Sequence, residues 1–178
     1  MTVPNLITVI RIILVPIFVI YIMQGRLTAA LVVFMIAGIS DGIDGFLARV
    51  LNQKSRLGAF LDPLADKILL VSAFVMLSVR EFMPSWLTVI VISRDVLILL
   101  GVLILFMTST GFTVKPSLVS KATTCFQLAA VFIVLSRGYT DISFGLQRVV
   151  CWATAAITII SGLHYMRQWF RMMGEEQT

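Results

Sequence analysis

Six apolar stretches fill almost the whole chain, at approximately 4 to 24, 28 to 50, 59 to 79, 85 to 108, 118 to 136 and 146 to 168. Each is near the length a tilted helix needs to cross a hydrocarbon core of roughly 30 Å at about 1.5 Å per residue. A backbone in lipid must satisfy its own polar groups, so runs of this length are read as helices. The 178 residues are 59% hydrophobic and 13% charged, which leaves no room for a soluble domain beside six such helices. The expectation is an all-α integral membrane protein with six transmembrane helices, a single domain over residues 1–178.

The charges say how it sits. Fourteen Lys and Arg against nine Asp and Glu give a net charge of +5, but the basic residues fall singly at the ends of apolar runs. Nucleic-acid binding needs a patch and is excluded; contact with anionic lipid or phosphate groups fits better. Placing the N-terminus inside collects Lys54, Arg56, Lys115, Arg167 and Arg171 on the cytosolic side. The opposite side keeps Arg26, Arg80 and Arg137, partly offset by Glu81 and Asp141, so both termini are expected in the cytosol. Tyr21, Trp86 and Tyr139 then mark one interface and Trp169 the other. A cleavable signal peptide is the competing reading of the first stretch, but Arg11 interrupts its apolar core. Cys125 and Cys151 lie inside apolar runs and read as small hydrophobes.

Ionisable residues stand where a membrane should forbid them: Arg11, Asp41, Asp44, Arg49, Asp62, Asp66, Lys67, Arg94, Asp95 and Lys121. Four carboxylates at roughly 2.5 to 3.5 kcal/mol each would oppose insertion by something on the order of 10 kcal/mol unless compensated. Asp41 and Asp44 are i and i+3 on one helix, and Asp62 and Asp66 are i and i+4 on the next, so each pair shares a face. A short loop makes these helices antiparallel neighbours, which lets both pairs converge at the cytosolic end. Convergent carboxylates repel and would protonate unless cations sat among them, and an all-oxygen set suits two Mg²⁺ or Mn²⁺ ions. Two such ions clamp the attacking and leaving oxygens of a phosphoryl displacement. Gly42, Gly45, Ala48 and Gly58 leave room beside them, and Arg49 adds a planar cation for phosphate oxygens. The alternative is that the carboxylates simply pair with Arg11, Arg49, Lys67 or Arg94 inside a bundle.

Residues 41 to 66 give the pattern D-x2-D-G-x2-A-R-x8-G-x3-D-x3-D without departure. This resembles the signature of the CDP-alcohol phosphotransferase family, and eight fixed positions match a given start by chance with a probability on the order of 10⁻¹⁰. The resemblance implies transfer of a phosphatidyl group from CDP-diacylglycerol to an alcohol, releasing CMP, at a cytosolic site in what is expected to be a bacterial inner membrane. It implies that Asp41, Asp44, Asp62 and Asp66 hold two divalent metals, with Asp66 also the catalytic base for the acceptor hydroxyl. Gly45, Ala48, Arg49 and Gly58 would receive the cytidine and diphosphate, and members of the family are commonly homodimers.

Asn5-Leu6-Ile7-Thr8 with Arg11, and Asp62-Pro63-Leu64-Ala65-Asp66-Lys67, resemble the branch that makes phosphatidylglycerophosphate and cardiolipin. Glycerol 3-phosphate is the expected acceptor. Phosphatidylglycerol is the alternative, because Ser93-Arg94-Asp95 and the stretch from Lys115 through Ser120-Lys121 to Gln127 look closer to the cardiolipin synthase type. Lys67, Arg94 and Lys121 are the candidate cations for the acceptor's phosphate; for Arg94 the competing reading is an internal pair with Asp95. His164, the one histidine, is expected in an interfacial or packing role. Two rivals are a cation-coupled transporter, which the absence of an inverted repeat disfavours, and an intramembrane prenyltransferase with an Asp-rich metal site.

Overall fold

The computed structural model describes the backbone of residues 3–50, 56–108, 118–140 and 143–175, with side chains over 9–40, 65, 67–101, 119–140, 143–167 and 169. Six helices account for nearly all of it: α1 (Val3–Met23), α2 (Leu27–Val50), α3 (Arg56–Val79), α4 (Ser85–Thr108), α5 (Leu118–Ser136) and α6 (Phe144–Glu175). Among the described residues two segments, Val119–Ser136 and Phe144–Arg167, are long and apolar enough to cross a bilayer by length and composition. Among the described residues the apolar runs of the first three helices are shorter, at Val9–Met23, Leu27–Ser40 and Lys67–Val79. The helix count and positions agree with the hydropathy reading, with two differences. α3 starts at Arg56, which puts Gly58 inside the helix, and α6 continues to Glu175 through residues expected to form a charged tail.

The chain divides into two compact units, each with its own packing. The first contains α1, α2, α3 and residues 131–142. Here α1 packs against both α2 and α3. Its buried stripe is Arg11, Val15, Phe18 and Ile22, the 3-4 spacing of one helical face. Ala30, Ala37, Ala65 and Ala73 are buried on α2 and α3. Lipid tails are as apolar as Leu, so helices in a bilayer gain chiefly from close van der Waals fit, which small side chains permit. Phe18 and Phe34 fill the space between α1 and α2 with ring centroids 5.8 Å apart.

Two helix ends in this unit are capped alike. At the end of α1, Arg26 N–H donates to Tyr21 O at 2.9 Å and Gly25 N–H to Ile22 O at 3.0 Å, with Gly25 at φ 73°. Phe82 N–H donates to Leu77 O at 2.9 Å and Glu81 N–H to Ser78 O at 3.0 Å at the end of α3, with Glu81 at φ 59°. Both are Schellman caps, which satisfy the last carbonyls through one left-handed residue. Glu81 holds that conformation despite its Cβ, at a strain of roughly 1 kcal/mol. The turn after α5 closes onto the start of α2: Thr28 Oγ1 donates to Gly138 O at 2.8 Å. A Cβ at Gly138 would stand 2.7 Å from Thr28 N, so only glycine allows this approach.

The second unit contains α4, residues 118–130 of α5, and α6. α4 packs on α6, and α5 meets α6 along a line of hydroxyl groups. Thr123, Thr154 and Thr158 are buried and return their hydroxyls to nearby acceptors, as Thr158 Oγ1 does to Thr154 O at 2.6 Å, and Ser161 is buried on the same face of α6. Trp86 and Trp152 stack at 4.8 Å with exposed edges, an arrangement suited to a membrane interface.

Candidate active site

The four aspartates occupy two helices of the same unit: positions 41 and 44 on α2, 62 and 66 on α3. Their side chains, with those of Gly45, Ala48, Arg49 and Gly58, lie outside the described residues, so the site is built here from register. On α2 the buried positions are 30, 33, 34 and 37, and steps of four and seven beyond Ala37 arrive at 41 and 44. On α3, Leu70 and Ala73 are buried; four back from one and seven back from the other both give 66, and a further four gives 62. The acidic positions therefore continue the stripes that carry the core of this unit. As a donor set they are carboxylate oxygens without thiol or imidazole, which fits a hard divalent cation such as Mg²⁺ or Mn²⁺.

The three cations assigned to the acceptor phosphate have unlike settings. Lys67, in the first unit, and Lys121, in the second, are both exposed. Arg94 is buried on α4, and four of its five N–H donors are engaged within the second unit. Nε and Nη2 donate to Ser161 Oγ at 3.3 and 2.9 Å, and Nη2 also to Ser120 Oγ at 2.7 Å. Nη1 donates to Asp95 Oδ1 at 2.8 Å, a pair whose side chains are 5% and 11% exposed. The guanidinium also lies 5.8 Å from the ring centroid of Tyr165, and its stem runs 3.8 Å from where a Cβ on Gly162 would be. One side chain thus ties α4, α5 and α6 together, and the Asp95 pair foreseen as the competing reading of Arg94 is present. Losing one partner of such a buried pair costs about 3 to 5 kcal/mol, because the other is left uncompensated.

Ser161 and Tyr165 were not singled out from the sequence. The available signal was the spacing of Thr154, Thr158 and Ser161, hydroxyls on one face of α6, which are buried together. His164 is exposed, edge-on to Tyr165 at 6.3 Å between ring centroids, and has no bond to the Arg94 cluster among the described contacts.

Comparison with known proteins gives this arrangement a class. A family model described as CDP-alcohol phosphatidyltransferase matches residues 1–160, and the chain belongs to that family. It is an enzyme of the transferase class acting in phospholipid synthesis, which sets aside the transporter and prenyltransferase readings. A CDP-diacylglycerol--glycerol-3-phosphate 3-phosphatidyltransferase of Bacillus subtilis (strain 168) is 34% identical over 179 residues, 91% of this chain and 92% of the relative. One of the same name from Aquifex aeolicus (strain VF5) is 31% identical over 182 residues, covering 99% of this chain and 100% of the relative. The cardiolipin synthase (CMP-forming) of Rattus norvegicus is 34% identical over 187 residues, 94% of this chain but 62% of the relative.

Proposed function

We propose that this protein transfers the phosphatidyl group of CDP-diacylglycerol to glycerol 3-phosphate, forming phosphatidylglycerophosphate and releasing CMP. The observation that carries the acceptor is similarity to two relatives named for glycerol 3-phosphate, at 34% and 31% identity over 91% and 99% of this chain. A second reading, with phosphatidylglycerol as acceptor, is favoured by Ser93-Arg94-Asp95 and by an identity to the rat protein as high as that to the Bacillus one.

In this reading the six helices all span, both termini face the cytosol, and the enzyme is a homodimer in a bacterial inner membrane with one catalytic domain over residues 1–178. Cysteines placed at positions 54 and 115, in a background lacking Cys125 and Cys151, are then expected to react with an impermeant thiol reagent only from the cytosolic face. Cysteines at 26 and 139 react only from the other, and a reversed pattern rejects the orientation.

Asp41, Asp44, Asp62 and Asp66 hold two Mg²⁺ or Mn²⁺ ions, whose chemistry when bound is to neutralise the diphosphate and stabilise charge developing on its oxygens. Arg49 pairs with diphosphate oxygens, and Gly45, Ala48 and Gly58 let the nucleotide come close to the helices. Asp66 takes the proton from the acceptor hydroxyl as its oxygen attacks the phosphatidyl phosphorus; the bond from that phosphorus to CMP breaks, and CMP leaves as the anion. Lys67, Arg94 and Lys121 bind the acceptor's phosphate.

The test supplies purified protein with CDP-diacylglycerol and metal, and offers each acceptor separately. Product with glycerol 3-phosphate is expected; product with phosphatidylglycerol alone overturns that assignment and makes the chain a cardiolipin synthase. Lys121→Ala is expected to raise the KM for glycerol 3-phosphate about tenfold, the loss of one charge-assisted hydrogen bond at roughly 1.5 to 3 kcal/mol, with little change for CDP-diacylglycerol. Arg94→Ala should do the same, but it also removes the pair with Asp95 and the three bonds that tie α4 to α5 and α6. The exposed lysine is the cleaner probe.

A further inference from the structure

Arg11 is the largest of the fully buried side chains among the described residues, at 0% exposure. It is the last described buried position of the α1 stripe on the side away from the α1–α2 turn, after Ile22, Phe18 and Val15. A guanidinium this buried, in the middle third of a helix, has not reached an interface by snorkelling. It stands 12 residues before Met23, about 18 Å from the turn. The same count taken from Leu27 along α2 reaches Ile39, two residues before Asp41. On α3, whose end lies beside the same turn with Arg80 Nη2 3.8 Å from the Cβ position of Gly25, the same count back from Val79 reaches Lys67, one residue after Asp66. α1 packs against both helices, so Arg11 is level with positions 41 and 66, with 44 and 62 roughly 7 Å further from the turn, and it stands on the helix that packs against both.

We propose that Arg11 is the internal countercharge of the Asp41, Asp44, Asp62 and Asp66 set, a positioning residue that holds these carboxylates in place on α2 and α3. The inference rests on the reading of those aspartates as the metal and diphosphate site. Two problems answer each other: four carboxylates brought together repel, and a buried guanidinium is costly to desolvate unless anions surround it. The guanidinium of arginine is always charged, so it supplies this countercharge whether or not a metal is bound.

The test is a double-mutant cycle read by thermal unfolding in detergent with chelator present, so that neither metal nor nucleotide enters. Arg11→Met is expected to lower the melting temperature by roughly 5 to 10 °C. Adding Asp41→Asn to that variant should recover a good part of the loss, because one repelling charge is gone, whereas in wild type the same change recovers nothing. Arg11→Lys should retain most of the stability. A loss of equal size in both backgrounds, with lysine no better than methionine, reduces Arg11 to a packing side chain and overturns the proposal. If Arg11→Met yields no folded protein, recovery of monodisperse protein by Asp41→Asn supports it, and failure of that recovery overturns it. A parallel melt of wild type with and without Mn²⁺ keeps the two ideas apart: no metal-induced shift rejects the metal site, while the cycle still decides the countercharge.

Discussion

Asp41→Asn and Asp62→Asn are each expected to lower turnover by about three orders of magnitude or more, with the helices intact. In the proposed mechanism each removes one charged ligand from a site whose work is electrostatic, and at 1.36 kcal/mol per tenfold that loss is about 4 kcal/mol of transition-state stabilisation. Asparagine keeps the shape and one oxygen of aspartate, so the effect is one of charge. With Arg11 offsetting the carboxylates, the melting temperature in chelator should hold. A chelator should abolish wild-type turnover, and added Mg²⁺ or Mn²⁺ should restore it. The measurement is CMP release under saturating CDP-diacylglycerol. Activity that survives both the chelator and the two substitutions rejects the two-metal site.

Asp66→Asn separates binding from chemistry. In the proposed mechanism Asp66 both holds metal and receives the acceptor's proton, and an amide at that position cannot take it. Three carboxylates remain, enough for part of the metal site, so CDP-diacylglycerol should still bind measurably while transfer falls below detection. Binding is read by equilibrium titration and transfer by product formation with either acceptor. Turnover that persists with a KM shift alone would assign Asp66 to the metals only and require another base.

Much of the fold was legible because hydropathy and helical period are local. The stretches 85 to 108 and 118 to 136 coincide with α4 and α5. Where the reading missed, it missed in one way: apolar runs show where lipid contact stops, and helical hydrogen bonding continues past that point. Arg56 opens α3 and Arg167 to Glu175 extend α6 as polar or mixed residues in good helical register. The acidic pairs were legible for the same local reason, since spacings of three and four place them on single faces. The setting of Arg94 was only half legible. Asp95 is its neighbour in sequence, but Ser161 lies 67 positions away, and its meeting with Arg94 depends on how α4 and α6 cross. Arg11 was visible as a charge in an apolar run, and its complete burial emerged from the packing of α1 on both neighbours.

The Gly138 contact with Thr28 sets an order of assembly during synthesis. Residues 131–142 belong with α1, α2 and α3, yet they leave the ribosome roughly sixty residues after α3 is complete. At about 5 to 20 residues per second that is an interval of several seconds. Through that interval the three helices that carry the acidic positions exist without the turn that closes on the start of α2. Whatever receives the nascent chain must therefore hold an early, acid-bearing hairpin in the membrane until a late segment returns to it. A nascent chain arrested before residue 131 should be more open to membrane quality control than one arrested after 142.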